Sequence, residues 1–402
     1  MKSTNKDMMD SLFFWGVAKR YKYGVGVAAV DWNGVSEKKK ILLINWRDIK
    51  TPEAGGAELY FHEIFKRINA RNYEVTVLSH SVNGLPDEEV VDGMRTIRTG
   101  NKFLFNYTAH RYARKHQHEY DLIVEDLNKI PFFTPCNTKV KRLHMVMHFF
   151  RKSIFRETFF PMALYVYLME RAVALFYKGE NFLAISQSTA DEIVDMGIKA
   201  KWIEVVEPGI DTEYFHPTEK KADPPVISYV GRLMKYKNAQ FVINAMPRLR
   251  ELVPGIVLEV AGGGDYRGEL EKLVDKLGVR DSVKFLGRVS EDEKRDLLSR
   301  SSLFINPSFK EGWGINNIEA NLCGTISMSN NVAGLKDSVV DGVTGLLYEN
   351  DDPEGFCEKA AAVLHDKDRL SELERNARER ALTMSWDAMA EKMEKVIEKA
   401  LN

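Results

Sequence analysis

Glu311 and Glu319 bracket EGWGINNIEANLCGT, the stretch whose residue types are best suited to chemistry. A carboxylate on a glycine-rich turn is followed eight positions later by another, placed on the first turns of a helix. Acids at that spacing are common because Glu is abundant, and alone they suit a capping acid and an exposed helical one. The surroundings argue for more. The apolar run LFIN and Pro307 precede the turn, Gly312 and Gly314 flank Trp313, and Cys323-Gly324 follows. Glycines let backbone amides approach a ligand closely, and the first amides of a helix lack an internal partner. Such a turn is suited to oxygen-rich, anionic groups.

The segment resembles the donor-site signature of the retaining family-4 glycosyltransferases (glycosyl transferases group 1), which have the two-domain GT-B fold. The resemblance implies that Glu311 contacts the sugar of a nucleotide-sugar donor. It implies that the backbone from Gly312 through Trp313 and Gly314 to Ile315, with Asn316 beside it, holds sugar and phosphates, and that Glu319 binds the ribose. Asn316-Asn317 stands where relatives carry a small or hydroxylated residue and then an apolar one, a departure that bears on donor-sugar preference.

Other segments fit the same picture. In SYVGRLMKYKN, Arg232 lies just beyond a strand and Lys237 follows five residues later. An isolated pair of this kind is usually a solvated basic loop. Here it resembles the family's diphosphate-binding Arg and Lys, cations that stabilise a leaving diphosphate. Gly55 and Gly56 in TPEAGGAEL resemble the family's GGAE-type loop and imply a second backbone approach to the donor phosphates, with Glu58 capping the helix that follows. His148, after the strand-like run before HFF, stands where relatives place a His near the reacting sugar, and His144 competes for that assignment. Gly262 and Gly263, in AGGGDYRGEL, resemble a glycine-rich strand end. Arg288 and Val289, in GRVS, resemble the loop bordering the base. GGGDYRG lacks the G-x-G-x-x-G spacing of a dinucleotide fingerprint, and no DxD-type pair stands out as a metal holder. No metal and no cofactor are expected, the nucleotide sugar being a substrate.

These residues need a scaffold. Strand-like runs alternate with helical segments of a dozen residues, which argues for parallel α/β architecture. ILLINW, YEVTVLSH, TIRT, YDLIVED and NFLAIS precede an Asp-Pro-Pro linker at 223–225; PVISYVGR, IVLEVAGGG, VKFLGR and SLFINPS follow it. The expected fold is α/β, GT-B: two Rossmann-like doubly wound domains facing a central cleft, with a C-terminal helix returning to the first. The boundaries read as an extension over 1–40, an acceptor domain over 41–210, a donor domain over 211–380 and the returning helix over 381–402. Ligands of open parallel sheets sit at the carboxyl ends of the strands, so the cleft is the expected active site.

A chain of 402 residues is too long for one ordinary core. At 44% hydrophobic and 29% charged it reads as a globular protein, and a net charge of −1 gives no support for nucleic-acid binding. Three widely spaced cysteines (Cys136, Cys323, Cys357) suit a reducing, cytoplasmic compartment. Phe159–Tyr177 is the longest apolar stretch, but Glu170-Arg171 interrupts it, at about 2.5–3.5 kcal/mol per charge in a spanning helix. A buried or interfacial helix is the better reading. Residues 1–40 read as a poorly ordered extension rather than an interfacial anchor. From Lys129 to Arg156 there are seven Lys/Arg and no acid, interleaved with Phe132, Phe133, Phe149, Phe150 and Phe155. That run suits either anionic lipid headgroups or a core strand with solvated flanks. The expected reaction is transfer of a hexose from a UDP- or GDP-sugar to a glycan or lipid-linked acceptor at the inner membrane face. A glucan synthase and a non-catalytic nucleotide-sugar-binding protein are the alternatives.

Overall fold

The computed structural model describes residues 38–402 apart from Lys129 and Glu157. The extension read over residues 1–40 therefore lies almost wholly outside the described residues. The first half runs β1 (Lys39–Ile44), α1 (Gly56–Asn69), β2 (Tyr73–Ser79), β3 (Glu88–Val91), β4 (Met94–Arg98), α2 (Phe105–His116), β5 (Leu122–Asp126), β6 (Lys141–Val146), α3 (Phe160–Phe176), β7 (Asn181–Ala184), α4 (Gln187–Asp195) and β8 (Ile203–Val205). Its sheet has the order β3-β4-β2-β1-β5-β6-β7-β8. Adjacent strands are parallel except the β3–β4 hairpin.

The second half runs β9 (Val226–Val230), α5 (Ala239–Leu252), β10 (Val257–Ala261), α6 (Arg267–Leu277), β11 (Val283–Gly287), α7 (Glu291–Arg300), β12 (Leu303–Asn306), α8 (Ile315–Leu322), β13 (Ile326–Asn330), α9 (Leu335–Ser338) and β14 (Gly345–Tyr348), then α10 (Pro353–His365), α11 (Lys367–Leu382) and α12 (Trp386–Leu401). Its parallel sheet has the order β11-β10-β9-β12-β13-β14. In both sheets helices cover the faces, so central strands are apolar on both sides and read as unbroken hydrophobic runs. Ile41, Leu42, Leu43 and Ile44 of β1 are all buried, as are Leu303, Phe304 and Ile305 of β12.

The last helix crosses back to the first half. Met389, Met393, Val396, Ile397 and Ala400 form a stripe at helical spacing and share a core with Phe61, Ile64 and Phe65 of α1. Arg67 pairs with Asp387 at 2.7 Å, and Arg71 pairs with Glu394.

Of the two readings of the basic, aromatic stretch from Lys129 to Arg156, its described part fits the core strand with solvated flanks. Its centre is the buried strand β6, Arg142 is bound by Glu180 at 2.9 Å, and Lys141 reaches the carbonyl of Leu401. The edge strand β3 was not anticipated. It turns back through Asp92-Gly93, whose φ of 47° and 83° are the left-handed pair that such a two-residue hairpin requires.

Candidate functional site

The turn carrying Arg232 leaves the end of β9 and is tied to the glycine-rich end of β10. Gly231 N donates to Ala261 O at 3.0 Å, and Leu233 N donates to Gly263 O at 2.9 Å. A Cβ on Gly262 would stand 1.8 Å from Gly231 O, so only glycine permits this crossing. Gly262 and Gly263 thus brace Arg232 from both sides in sequence. The Arg232 side chain is exposed and donates to Tyr236 Oη at 2.9 Å. Arg288 and Val289 follow β11 beside Gly263, whose added Cβ would meet Arg288 Cγ at 3.2 Å.

Phe309 N donates to Tyr236 O at 3.1 Å, which draws the loop after β12 onto the loop after β9. As a result Lys237 Nζ forms an ion pair with Glu311 Oε1, each side chain mostly shielded from solvent. Gly314, at φ 83°, then turns the chain into α8, which has no side-chain cap. Asn317 N donates back to Gly314 O at 2.9 Å, so the amides of Ile315 and Asn316 lead the helix ahead of that bond. Trp313 packs its ring into the core with Arg380 6.0 Å over its face, so only its backbone belongs to the turn. Asn316 Nδ2 donates to Val230 O at 2.8 Å, tying α8 to β9. Asn317 is buried, donates to Ser338 Oγ at 2.8 Å and accepts from Ser329 Oγ at 3.2 Å. The Asn-Asn pair is therefore a structural junction of α8 with β9, β13 and α9.

Glu319, one turn along α8, is buried. Its Oε1 accepts from Lys294 Nζ at 3.0 Å, while Oε2 has no hydrogen-bond partner among the described residues. Burial raises the Glu319 carboxyl above its ordinary range, and Lys294 offsets only part of that. Burial works against the Lys294 charge, but Glu319 and Glu291 outweigh it and hold the ammonium on. Lys294 escaped the sequence reading because nothing local marks it; it lies on α7, 25 residues from its partner.

In the first half, Gly55 N donates to Glu58 Oε2 at 2.7 Å, so Glu58 caps α1. Gly56 opens α1, and a Cβ there would meet nothing within 4 Å. His148 follows β6, is half-buried and packs on Phe150 with ring centroids 4.7 Å apart. His144 is elsewhere. It lies fully buried inside β6, with Nδ1 3.4 Å from Glu125 Oε2 and Nε2 3.3 Å from Glu180 Oε2. That places it in the core, apart from the loop that carries His148. Glu170 of α3 accepts from the amides of Phe150 and Arg151, both at 2.8 Å, and so fixes the loop that carries His148.

The two halves meet beside the Glu311 turn. A Cβ on Gly312 would stand 3.0 Å from Met147 O and 2.9 Å from Ile185 Cδ1. Lys310 Nζ donates to Phe149 O and lies 3.3 Å from Glu192 Oε1. Asp337 accepts Gly334 N at 3.1 Å and faces Ser188 N at 3.3 Å. Lys310 and Asp337 were also missed, since contacts between domains leave no local pattern. The turn that carries Glu311 thus lies against the strand end that carries His148. Among the described residues no cluster of three His, Cys, Asp or Glu is arranged to hold a metal.

The model of glycosyltransferase family 4 matches residues 54–214, and that of the glycosyl transferases group 1 matches residues 211–380. The chain is a GT-B glycosyltransferase of family 4. This glycosyltransferase is 29% identical over 230 residues to a D-inositol 3-phosphate glycosyltransferase of Catenulispora acidiphila, a match covering 52% of this chain and 54% of that one. The match thus spans about half of that relative's length. It is 26% identical over 382 residues to the glycogen synthase of Mycobacterium tuberculosis, covering 87% and 91% of the two chains. The solved structure of Anabaena HepE in complex with UDP-glucose superposes with a TM-score of 0.68 at 18% identity, covering 90% of this chain and 100% of that one.

Proposed function

We propose that this glycosyltransferase moves a hexose from a UDP- or GDP-sugar to a hydroxyl of a glycan or lipid-linked acceptor, with retention of anomeric configuration and without a metal. The observation that carries this reading is the convergence on one uncapped helix turn of the Lys237–Glu311 pair and the half-satisfied Glu319, with Arg232 on the adjoining loop. A UDP-glucose complex of a protein with the same fold supports a nucleotide-sugar donor.

On this reading Arg232 and Lys237 neutralise the diphosphate as its bond to the anomeric carbon breaks. The leading amides of α8 and the Gly56 amide assist. Glu311 orients the sugar and supports the positive charge that develops at its anomeric carbon. Glu319 Oε2 accepts from a ribose hydroxyl, and Lys294 holds its other oxygen. No carboxylate is assigned as a covalent nucleophile. The acceptor oxygen attacks the face the diphosphate leaves; the departing phosphate oxygen takes the bond pair and then the hydroxyl proton. His148 contacts the sugar or acceptor.

Water can replace the acceptor in a slow hydrolysis of the donor. With UDP-glucose as probe, proton NMR in the first minutes reads the anomer of the glucose released. The α anomer is expected; β-glucose would overturn the assignment of retention. A glucan synthase is the second reading, favoured by the long match to a glycogen synthase. Against it, Glu53-Ala54-Gly55-Gly56 stands where starch and glycogen synthases carry Lys-x-Gly-Gly. Extension of glycogen primers from UDP- or ADP-glucose would decide for that second reading.

A further inference from the structure

Apart from Glu170 and Arg171, helix α3 carries only uncharged, mostly apolar side chains on every face, a composition that belongs in a core, yet only half of it is covered. Ala163, Val166, Glu170 and Val173 are buried, while Phe160, Leu164, Leu168 and Leu175 recur at helical spacing on the opposite side. Phe160 is 67% exposed, Leu168 51% and Leu175 77%. A contiguous apolar face of this kind marks a binding surface.

Its charges say what covers it. Arg171 shares the exposed face, Lys178 follows the helix end, and neither forms an ion pair among the described residues. The helix's one acid, Glu170, points inward to the amides of Phe150 and Arg151. A second copy of the chain meeting this face symmetrically would bring both Arg171 side chains to one contact, and α3 exposes no acid to answer them. An anionic lipid surface takes the apolar side chains into its acyl boundary and the arginine at its headgroups. With 17 residues α3 lies along such a surface; no helix among the described residues is long and apolar enough to cross a membrane.

We propose that the exposed face of α3 docks this enzyme on an anionic membrane surface. This deepens the proposed function, on which the link to the acceptor rests. Glu170 connects the docked helix to the loop after β6, two residues from His148, so the lipid surface and the cleft share one rigid element. A lipid-linked acceptor would then enter the cleft from the face that α3 holds.

The test is flotation of the full chain with vesicles of phosphatidylcholine, with and without phosphatidylglycerol, at low salt. Its companions are Leu168→Glu/Leu175→Glu and, as a second variant, Arg171→Glu. The wild type is expected to float with the anionic vesicles, with at least about tenfold weaker partition for each leucine replaced. Arg171→Glu should erase the preference for anionic lipid. Wild-type protein that does not float overturns the proposal. Flotation unchanged in both variants also overturns it, placing attachment elsewhere, residues 1–37 included. A wild-type dimer that the variants convert to monomer, with no flotation, assigns the face to a second copy instead. Hydrolysis of UDP-glucose is read in parallel: it should persist in the variants, which shows them folded. A wild type that floats but releases nucleotide from none of a panel of UDP- and GDP-sugars speaks against the proposed function alone.

Discussion

The carboxylates of the second half and the buried cluster under β5 and β6 place acids beside cations in opposite ways. Glu125 is saturated: it accepts from Phe132 N at 2.8 Å, Tyr177 Oη at 2.6 Å and the Thr134 hydroxyl, and it faces His144. Glu319 is also buried, but one of its oxygens has no partner among the described residues. The difference separates a carboxylate whose acceptors are filled by the sheet around it from one that, on the proposed function, a ribose hydroxyl would complete. A buried polar atom without a hydrogen bond costs about 1–3 kcal/mol, and Asp126 Oδ1 is another in this protein, so the assignment of Glu319 rests on its place on α8 beside the Glu311 turn.

That contrast can be broken most sharply at Arg232. Its side chain is exposed, so Arg232→Ala should fold normally and lose about 10²–10³ in turnover, the usual cost of one electrostatic donor. Normal turnover in a folded variant would remove the diphosphate assignment. Glu319→Ala should act on both binding and stability. It strips buried Lys294 of its closest shielded partner, leaving Glu291 at 2.7 Å, and should cost about 3 kcal/mol in denaturant unfolding. The donor KM should rise as well, whereas a stability loss with unchanged donor KM would make Glu319 merely structural.

The His144 cluster should show only in stability, and with a definite pH dependence. Burial opposes the His144 charge, but Glu125 and Glu180 outweigh it and raise its pKa. A raised folded value means that its contribution is complete below the unfolded value of about 6.5 and is lost as pH climbs through the folded one. Glu180 runs the other way: burial would raise it, but His144 and Arg142 bring it down to about 2. Its contribution is present above about 4.3 and fades as pH falls toward the lowered value. The melting-temperature gap between wild type and His144→Leu should therefore narrow from about pH 5 to pH 9, with UDP-glucose hydrolysis little changed. A constant gap would mean that His144 packs without charge. Asn316→Ala should have the smallest effect, about 1 kcal/mol for one lost bond to Val230 O and less than tenfold in donor KM.

Much of this scaffold was legible because parallel strands covered on both faces must be apolar without interruption, as in ILLI of β1 and LFIN of β12. The strand β3 was not, since EEVV is short, polar and at an edge; Asp92-Gly93 was the available signal. Glu311, Glu319, Arg232 and Lys237 were readable through their motifs, yet their meeting depends on Phe309 N reaching Tyr236 O across 73 residues of chain. Lys294 and Lys310 carried no motif, because packing between α7 and α8 and between the two halves creates their contacts. The sequence also left α3 open between core and interface: its period says that Glu170 and Arg171 lie on neighbouring faces, but not which of the two points inward.

The most direct measurement is nucleotide release by purified protein from a panel of UDP- and GDP-sugars with EDTA present, run beside Arg232→Ala. Release from one donor, undiminished by EDTA and lost in the variant, is the predicted result. A folded wild type that neither releases nucleotide nor binds any donor of the panel in calorimetry would contradict the donor site built here around Glu311 and Glu319.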